Sequence, residues 1–293
     1  MKPPFVGCGV AIATPFADGK VDYLALENHI NFLIHNKADC IIPCGTTGES
    51  ATLTKEEKIE ITRFVLEKVD KRVPVIPGTG GNNTEEVKAL SKEMEALGVD
   101  ALMIVTPYYN KATQKGLVKH FSEVAGTVEL PIILYNVPGR TGVNIKPQTL
   151  VELKKMKNIV GLKEASGDIS QIGEIAHLCP ELSLYSGNDD QIFPILAYGG
   201  VGAISVIANI APKQVHEMIK FFLNNEITNS KQMQLKMLEL IKALFCEVSP
   251  VPVKAALSIM GMCQSYCRPP LYEMESENLE YLKKEMRSYG LFN

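Results

Sequence analysis

Eight short apolar runs recur about every 30 residues along the chain, and this spacing constrains the fold more than any other feature. The runs are Val6-Phe16, Asp39-Cys44, Val73-Thr79, Ala101-Thr106, Ile132-Val137, Ile159-Lys163, Leu182-Ser186 and Ala203-Ala208. Each is rich in Val, Ile or Leu, and most are followed by Gly, Pro, Thr or Asn. Continuous apolar runs of this length are expected of parallel strands covered on both faces. The segments between them carry helical signals. Thr54-Lys-Glu-Glu57 is a capping box, followed by an apolar stripe of Ile61, Phe64, Val65 and Val69. A second helix is expected from about Thr84, with Val87, Leu90, Met94 and Leu97 on one face and Gly98 at its C-cap.

Eight strands alternating with helices predict a (β/α)8 TIM barrel, an α/β fold with its polar loops at the strand C-termini. A doubly wound open sheet would usually show a glycine fingerprint after the first strand, and Val6-Phe16 has none. After Ala208 only helical patterns remain: Lys213-Leu223, Lys231-Phe245, Val251-Met260 and Leu279-Tyr289. The expected organisation is a barrel over residues 1–225 with a C-terminal helical appendage over 226–293.

Composition narrows the partners. The net charge is -3, so nothing favours nucleic acid or an anionic membrane surface. No stretch approaches the roughly 20 apolar residues of a membrane span, and the N-terminus lacks the core of a signal peptide, so a cytoplasmic protein is expected. The seven cysteines lie mostly in apolar segments and read as reduced, buried thiols. Cys263 and Cys267 have no second pair or histidine that would complete a zinc set, and no metal is expected. The five histidines fall in helical segments, away from the strand ends.

Against this background Lys163 stands out. Lysine is rarely buried without compensation, yet Lys163 ends the run Ile159-Val-Gly-Leu-Lys163. It could snorkel to solvent or pair with the adjacent Glu164. A desolvated amine could instead act as a nucleophile toward a carbonyl carbon. Lys111 and Lys115 sit in polar sequence that would not lower their pKa. The other strand ends supply complementary groups. Gly45-Thr-Thr-Gly-Glu-Ser50 could hold a carboxylate on backbone N–H groups and hydroxyls, or could simply be a tight turn. Tyr135 could relay protons from a strand end, or could be a core tyrosine. Arg140, in Pro-Gly-Arg-Thr-Gly142, could clamp a carboxylate or be a solvated turn residue.

These motifs, together with Pro107-Tyr-Tyr-Asn110, Gly161-Leu-Lys-Glu-Ala165, Ser186-Gly-Asn-Asp189 and Gly202-Ala-Ile-Ser205, closely resemble the dihydrodipicolinate synthase family. This is a branch of the class I aldolases that also includes N-acetylneuraminate lyase. The resemblance covers nearly the whole chain. The double threonine and the Gly-Arg-Thr turn point to the synthase branch. It implies a Schiff base between Lys163 and pyruvate, enamine attack on L-aspartate 4-semialdehyde, and no metal or organic cofactor. Tyr135 would handle protons, and Thr46 would relay them to Tyr109, which in the family comes from a neighbouring subunit. Thr47, Gly187 and the Ile204 backbone would line the pyruvate site, and Arg140 would bind the semialdehyde carboxylate. A homotetramer built as a dimer of dimers is implied. A sister aldolase acting on a sugar acid or hydroxy-oxo acid is the nearest alternative, and a non-catalytic sensor on the same fold is a more distant one. Ser50, Ala51, Asn82, Glu86 and Tyr108 match an L-lysine effector site found in some members. Lys55 and Lys58 stand where the lysine-sensitive pattern has histidines, so Coulomb repulsion predicts weak or absent inhibition.

Overall fold

The computed structural model describes residues 2–292. The chain divides into two compact units: residues up to Val6 with Pro74–Ile204, and Gly7–Val73 with everything from Ser205 on. Strands are numbered along the chain. The second unit holds β1 (Gly7–Ala11), β2 (Phe16–Ala17), β3 (Lys20–Val21) and β4 (Cys40–Ile42). The first holds β5 (Leu102–Val105), β6 (Ile132–Asn136), β7 (Ile159–Glu164) and β8 (Ser183–Ser186), and nearly all of β9 (Gly202–Ser205).

In the first unit β5 to β9 lie side by side in chain order, every pair parallel. In the second, β1 pairs in parallel with β4. Helices Lys55–Val69, Thr84–Leu97, Gln114–Ala125, Pro147–Leu153, Ile169–Leu178 and Ile192–Ala197 alternate with the strands. This alternation is that of a (β/α)8 barrel. The C-terminal region is helical, as expected: Ile227–Leu244 packs against Pro212–Leu223 and Ser276–Tyr289, all within the second unit.

Local signals explain the elements. The capping box forms: the Thr54 hydroxyl accepts from the Glu57 N–H, and the Glu57 carboxylate accepts from the Thr54 N–H. Gly98 closes its helix in the left-handed region at φ 84°. The parallel strands are buried along their length, β7 at all six positions and β5 at all but its last, as strands covered on both faces must be, whereas the β2–β3 hairpin reaches the surface.

Three runs behave differently from a simple strand. Val6-Phe16 splits into β1 and a two-residue arm, β2, that turns back on β3 as an antiparallel hairpin. Val73-Thr79 is extended but forms only isolated bridges, at Val75 and between Gly78 and Met103, rather than a continuous ladder. Pro74 and Pro77 explain this, because a proline has no N–H to donate. The Pro77 carbonyl still accepts from the Met103 N–H at 3.0 Å. Ala203-Ala208 is strand only to Ser205 and then tightens into a single helical turn, Ile207–Asn209.

Candidate active site

The registers of β6 and β7 set the central geometry. Tyr135 and Lys163 are directly paired residues of adjacent parallel strands, so their side chains leave the sheet on the same face. Lys163 is 4% exposed, and its Nζ lies 4.1 Å from the centre of the Tyr135 ring. Burial lowers the amine from its ordinary 10.5 to about 7, the Asp189 carboxylate opposes that change, and the Arg140 guanidinium adds to it. The nucleophile expected from the sequence is therefore half deprotonated near neutral pH.

Gly187 follows β8 and leaves space beside that amine. A Cβ on it would sit 3.1 Å from Lys163 Cε and 2.8 Å from the Ala165 Cβ. The Gly187 N–H donates to the Glu164 carbonyl at 2.7 Å, so the loop is tied to β7 by its backbone. Ile204 is fully buried on β9. Arg140 stands exposed on the short helical turn Pro138–Thr141, close enough for its charge to act on Lys163. Lys163, Tyr135, Gly187, Arg140 and Ile204 thus all belong to the first unit.

Thr46 and Thr47 belong to the second unit, on the turn after β4. Two non-glycine residues in the left-handed region, Cys44 at φ 57° and Glu49 at φ 55°, bracket that turn. Such backbone persists only where its surroundings hold it. Here the Thr14 hydroxyl donates to the Gly48 carbonyl at 2.8 Å, and a Cβ on Gly48 would come within 3.2 Å of the Cys44 backbone. Glu49 is buried with its charge compensated: Lys254 Nζ donates to it at 2.5 Å and the Arg268 N–H at 2.9 Å.

One sequence alternative is corrected. Glu164 does not pair with Lys163, because adjacent strand residues face opposite ways. Its carboxylate accepts from Asn136 and the Ser166 N–H instead. Sequence reasoning missed Glu49, Lys254, Asn136 and Asp189, all buried. The one available signal was polar residues inside or beside apolar runs.

Tyr109 is the opposite case, 90% exposed, with its backbone in the left-handed region at φ 72°. Tyr108 is partly exposed beside it. Of the other residues expected at an effector site, Asn82 and Glu86 lie in the first unit, and Ser50, Ala51, Lys55 and Lys58 in the second. Lys55 opens the helix Lys55–Val69 and is exposed, with Lys58 one turn along it.

Among the described residues no group of three His, Cys, Asp or Glu side chains is arranged to hold a metal. Burial pushes the Cys263 thiol up to about 11 and the Cys267 thiol to about 12, away from thiolate chemistry. No helix among them is long and apolar enough to cross a membrane.

Comparison with known proteins identifies the family and the fold. The Dihydrodipicolinate synthetase family matches residues 4–288. A 4-hydroxy-tetrahydrodipicolinate synthase of Acetivibrio thermocellus is 52% identical over 291 residues, covering 99% of both chains. The crystal structure of the chloride-inhibited dihydrodipicolinate synthase of Acinetobacter baumannii, complexed with pyruvate, superposes with a TM-score of 0.96 at 40% identity, covering 98% of this chain and 99% of that one. The enzyme of Cyanidioschyzon merolae, solved with lysine bound, gives 0.96 at 38% identity over 99% of this chain and 100% of that one. A barrel with a lysine and a tyrosine paired at its strand ends, matched along essentially its whole length, belongs to the dihydrodipicolinate synthetase family.

Proposed function

We propose that the chain condenses pyruvate with L-aspartate 4-semialdehyde to give 4-hydroxy-tetrahydrodipicolinate, as a lyase of lysine and diaminopimelate biosynthesis. One observation carries the reading: a buried amine with a pKa of about 7, 4.1 Å from a tyrosine ring. Neutral Lys163 attacks the pyruvate ketone carbon, and loss of water gives an imine. Loss of a methyl proton converts the imine to an enamine, whose carbon attacks the aldehyde carbon. The semialdehyde's own amine then displaces Lys163 as the ring closes. The imine supplies the electron sink, so the chemistry calls for no metal or organic cofactor.

Tyr135 is the proton donor and acceptor, and Thr46 and Tyr109 extend the relay. Thr47, the Ile204 backbone and Gly187 hold pyruvate, whose complex with the similar A. baumannii enzyme supports this choice of substrate. Arg140, a planar donor fork on an exposed turn, takes the semialdehyde carboxylate. A polyhydroxy aldehyde would want more hydroxyl partners, and the synthase name of relatives about half identical over the full length disfavours a sister aldolase. The exposure of Tyr109 fits a residue completed by a neighbouring subunit, within a dimer-of-dimers tetramer. We place the enzyme in the cytoplasm, with residues 1–225 as the catalytic barrel and 226–293 as its appendage. The residues matching an effector site carry Lys55 and Lys58, whose charges would repel L-lysine.

Borohydride trapping tests the reading. Wild-type protein incubated with pyruvate and borohydride should gain one reduced pyruvyl adduct by intact mass, and Lys163→Ala none. No adduct on the wild type would sink the mechanism. Coupled turnover with the semialdehyde, set against N-acetylneuraminate, then fixes the second substrate.

A further inference from the structure

One rung beyond Tyr135 and Lys163, β6 and β7 pair Asn136 with Glu164. By alternation these two side chains leave the opposite face of the sheet, away from the reacting groups. Both are fully buried. Asn136 Nδ2 donates to Glu164 Oε2 at 3.0 Å, to Oε1 at 3.3 Å and to Asn144 Oδ1 at 2.8 Å. Asn136 Oδ1 accepts from the Ile145 N–H at 2.9 Å, and Glu164 Oε1 accepts from the Ser166 N–H at 2.6 Å. Asn144 and Gln171 exchange two amide hydrogen bonds, which ties the cluster to the helix Ile169–Leu178. The backbone repeats the linkage. The Asn136 carbonyl accepts from the Ala165 N–H, and the Glu164 carbonyl from the Gly187 N–H.

The cluster therefore fastens β6 beside Tyr135, β7 beside Lys163, the Gly187 loop, and the segment leaving the Arg140 turn. Aliphatic residues of similar size would fill the same space without burying a carboxyl group, whose pKa burial raises. A buried polar pair in such a place specifies one arrangement over its near alternatives, often at some cost in stability. Misplacement of reacting groups by about 1 Å costs on the order of 100-fold in rate.

We propose that Asn136 and Glu164 are positioning residues that hold the Tyr135 phenol and the Lys163 amine in their working register. The proposal rests on the reading of Lys163 as the imine-forming residue. The test uses complementarity. In Glu164→Gln two amide N–H2 groups can confront each other, and in Asn136→Asp two carboxyls do. The double variant Asn136→Asp/Glu164→Gln restores one carboxylate facing one amide, with the Asn144 and Gln171 amides free to turn over. Each protein is assayed for imine formation by single-turnover borohydride trapping, for kcat, for pyruvate KM, and for fraction folded by near-UV circular dichroism.

Each single variant should form the imine roughly 10- to 100-fold more slowly per folded molecule, with pyruvate KM within about threefold of wild type. The double variant should recover to within about fivefold of the wild-type rate. Single variants at wild-type rate per folded molecule, or a double variant as slow as the singles, would overturn the proposal. If a single variant does not fold, Asn144→Ala replaces it: it removes one contact to Asn136 and should slow imine formation severalfold at unchanged KM. A wild-type rate there would equally refute the idea. Absence of an adduct on the wild type would instead overturn the imine reading beneath it.

Discussion

Replacing Lys163 by methionine should abolish activity and make the protein more stable at neutral pH. The side chain lies in a dry setting where burial holds the amine at about 7 against an ordinary 10.5. An unfolded chain therefore binds a proton between those two values that the native chain does not. By linkage, the lysine lowers stability in full below pH 7, and the loss fades as pH rises toward 10.5. At about 1.4 kcal/mol for each pH unit, the handicap is roughly 5 kcal/mol below pH 7, about 4 at pH 7 and about 2 at pH 9. Methionine has a similar length and no charge to desolvate, so Lys163→Met should recover most of it. The measurement is urea unfolding of both proteins at pH 7 and pH 9, with stability taken as the difference between them, in which all other titrations cancel. The variant should lead at both, by about half as much at the higher pH. Equal stabilities, or a gap that stays constant or widens with pH, would refute the argument. Kinetics provide a parallel check. The rate of imine formation on free enzyme should rise with pH and level off above an inflection near 7. An ordinary lysine would keep rising toward 10.5 and would hold about 1,000-fold less neutral amine at pH 7.

Three further outcomes are expected. Gly187→Ala places a Cβ 2.8 Å from the Ala165 Cβ and 3.1 Å from Lys163 Cε, so trapping by borohydride should slow at least about tenfold in a protein that still folds; an unchanged rate would show that the amine does not need this space. Lys254→Met leaves the Glu49 carboxylate buried without its partner and should destabilise by about 3–5 kcal/mol in chemical denaturation, whereas the double variant Glu49→Gln/Lys254→Met should recover most of that. Millimolar L-lysine should leave turnover unchanged, and Lys55→His/Lys58→His should raise its affinity in calorimetry; tight binding to the wild type would defeat the repulsion argument.

Much of this architecture was legible in the chain because its signals are local. Thr54 and Glu57 are three residues apart, Gly98 directly ends its helix, and an apolar run needs only itself to be read. The shortened ladder at Val73-Thr79 was also local, written in Pro74 and Pro77, but the apolar pattern outweighed it. What stayed hidden is non-local. Lys254 reaches Glu49 from 205 residues away, and no spacing rule anticipates such a pair. The Gly45-Thr-Thr-Gly48 turn could be read as a carboxylate cradle, but the buried ion pair anchoring Glu49 at its end could not.

Asn136, which was missed, and Glu164, whose partner is Asn136 and not Lys163, point to a sharper criterion. Lys163 drew notice because a lysine on a doubly buried strand demands compensation and because its chemistry is familiar. The same energetic reasoning applies to any polar side chain on such a strand, whichever face it takes. A one-sided sheet lets alternate residues reach water, so a polar residue there says little. A barrel strand has no wet face along its middle, so Asn136 and Glu164 meet a low-dielectric setting as surely as Lys163 does. Alternation then separates their roles. Tyr135 and Lys163 take the face where a reaction can occur, and Asn136 and Glu164, one residue on, take the face where only structure can be held. Adjacent polar residues at the end of a doubly buried strand are thus best read as two layers of one device, a reacting group and the anchor behind it.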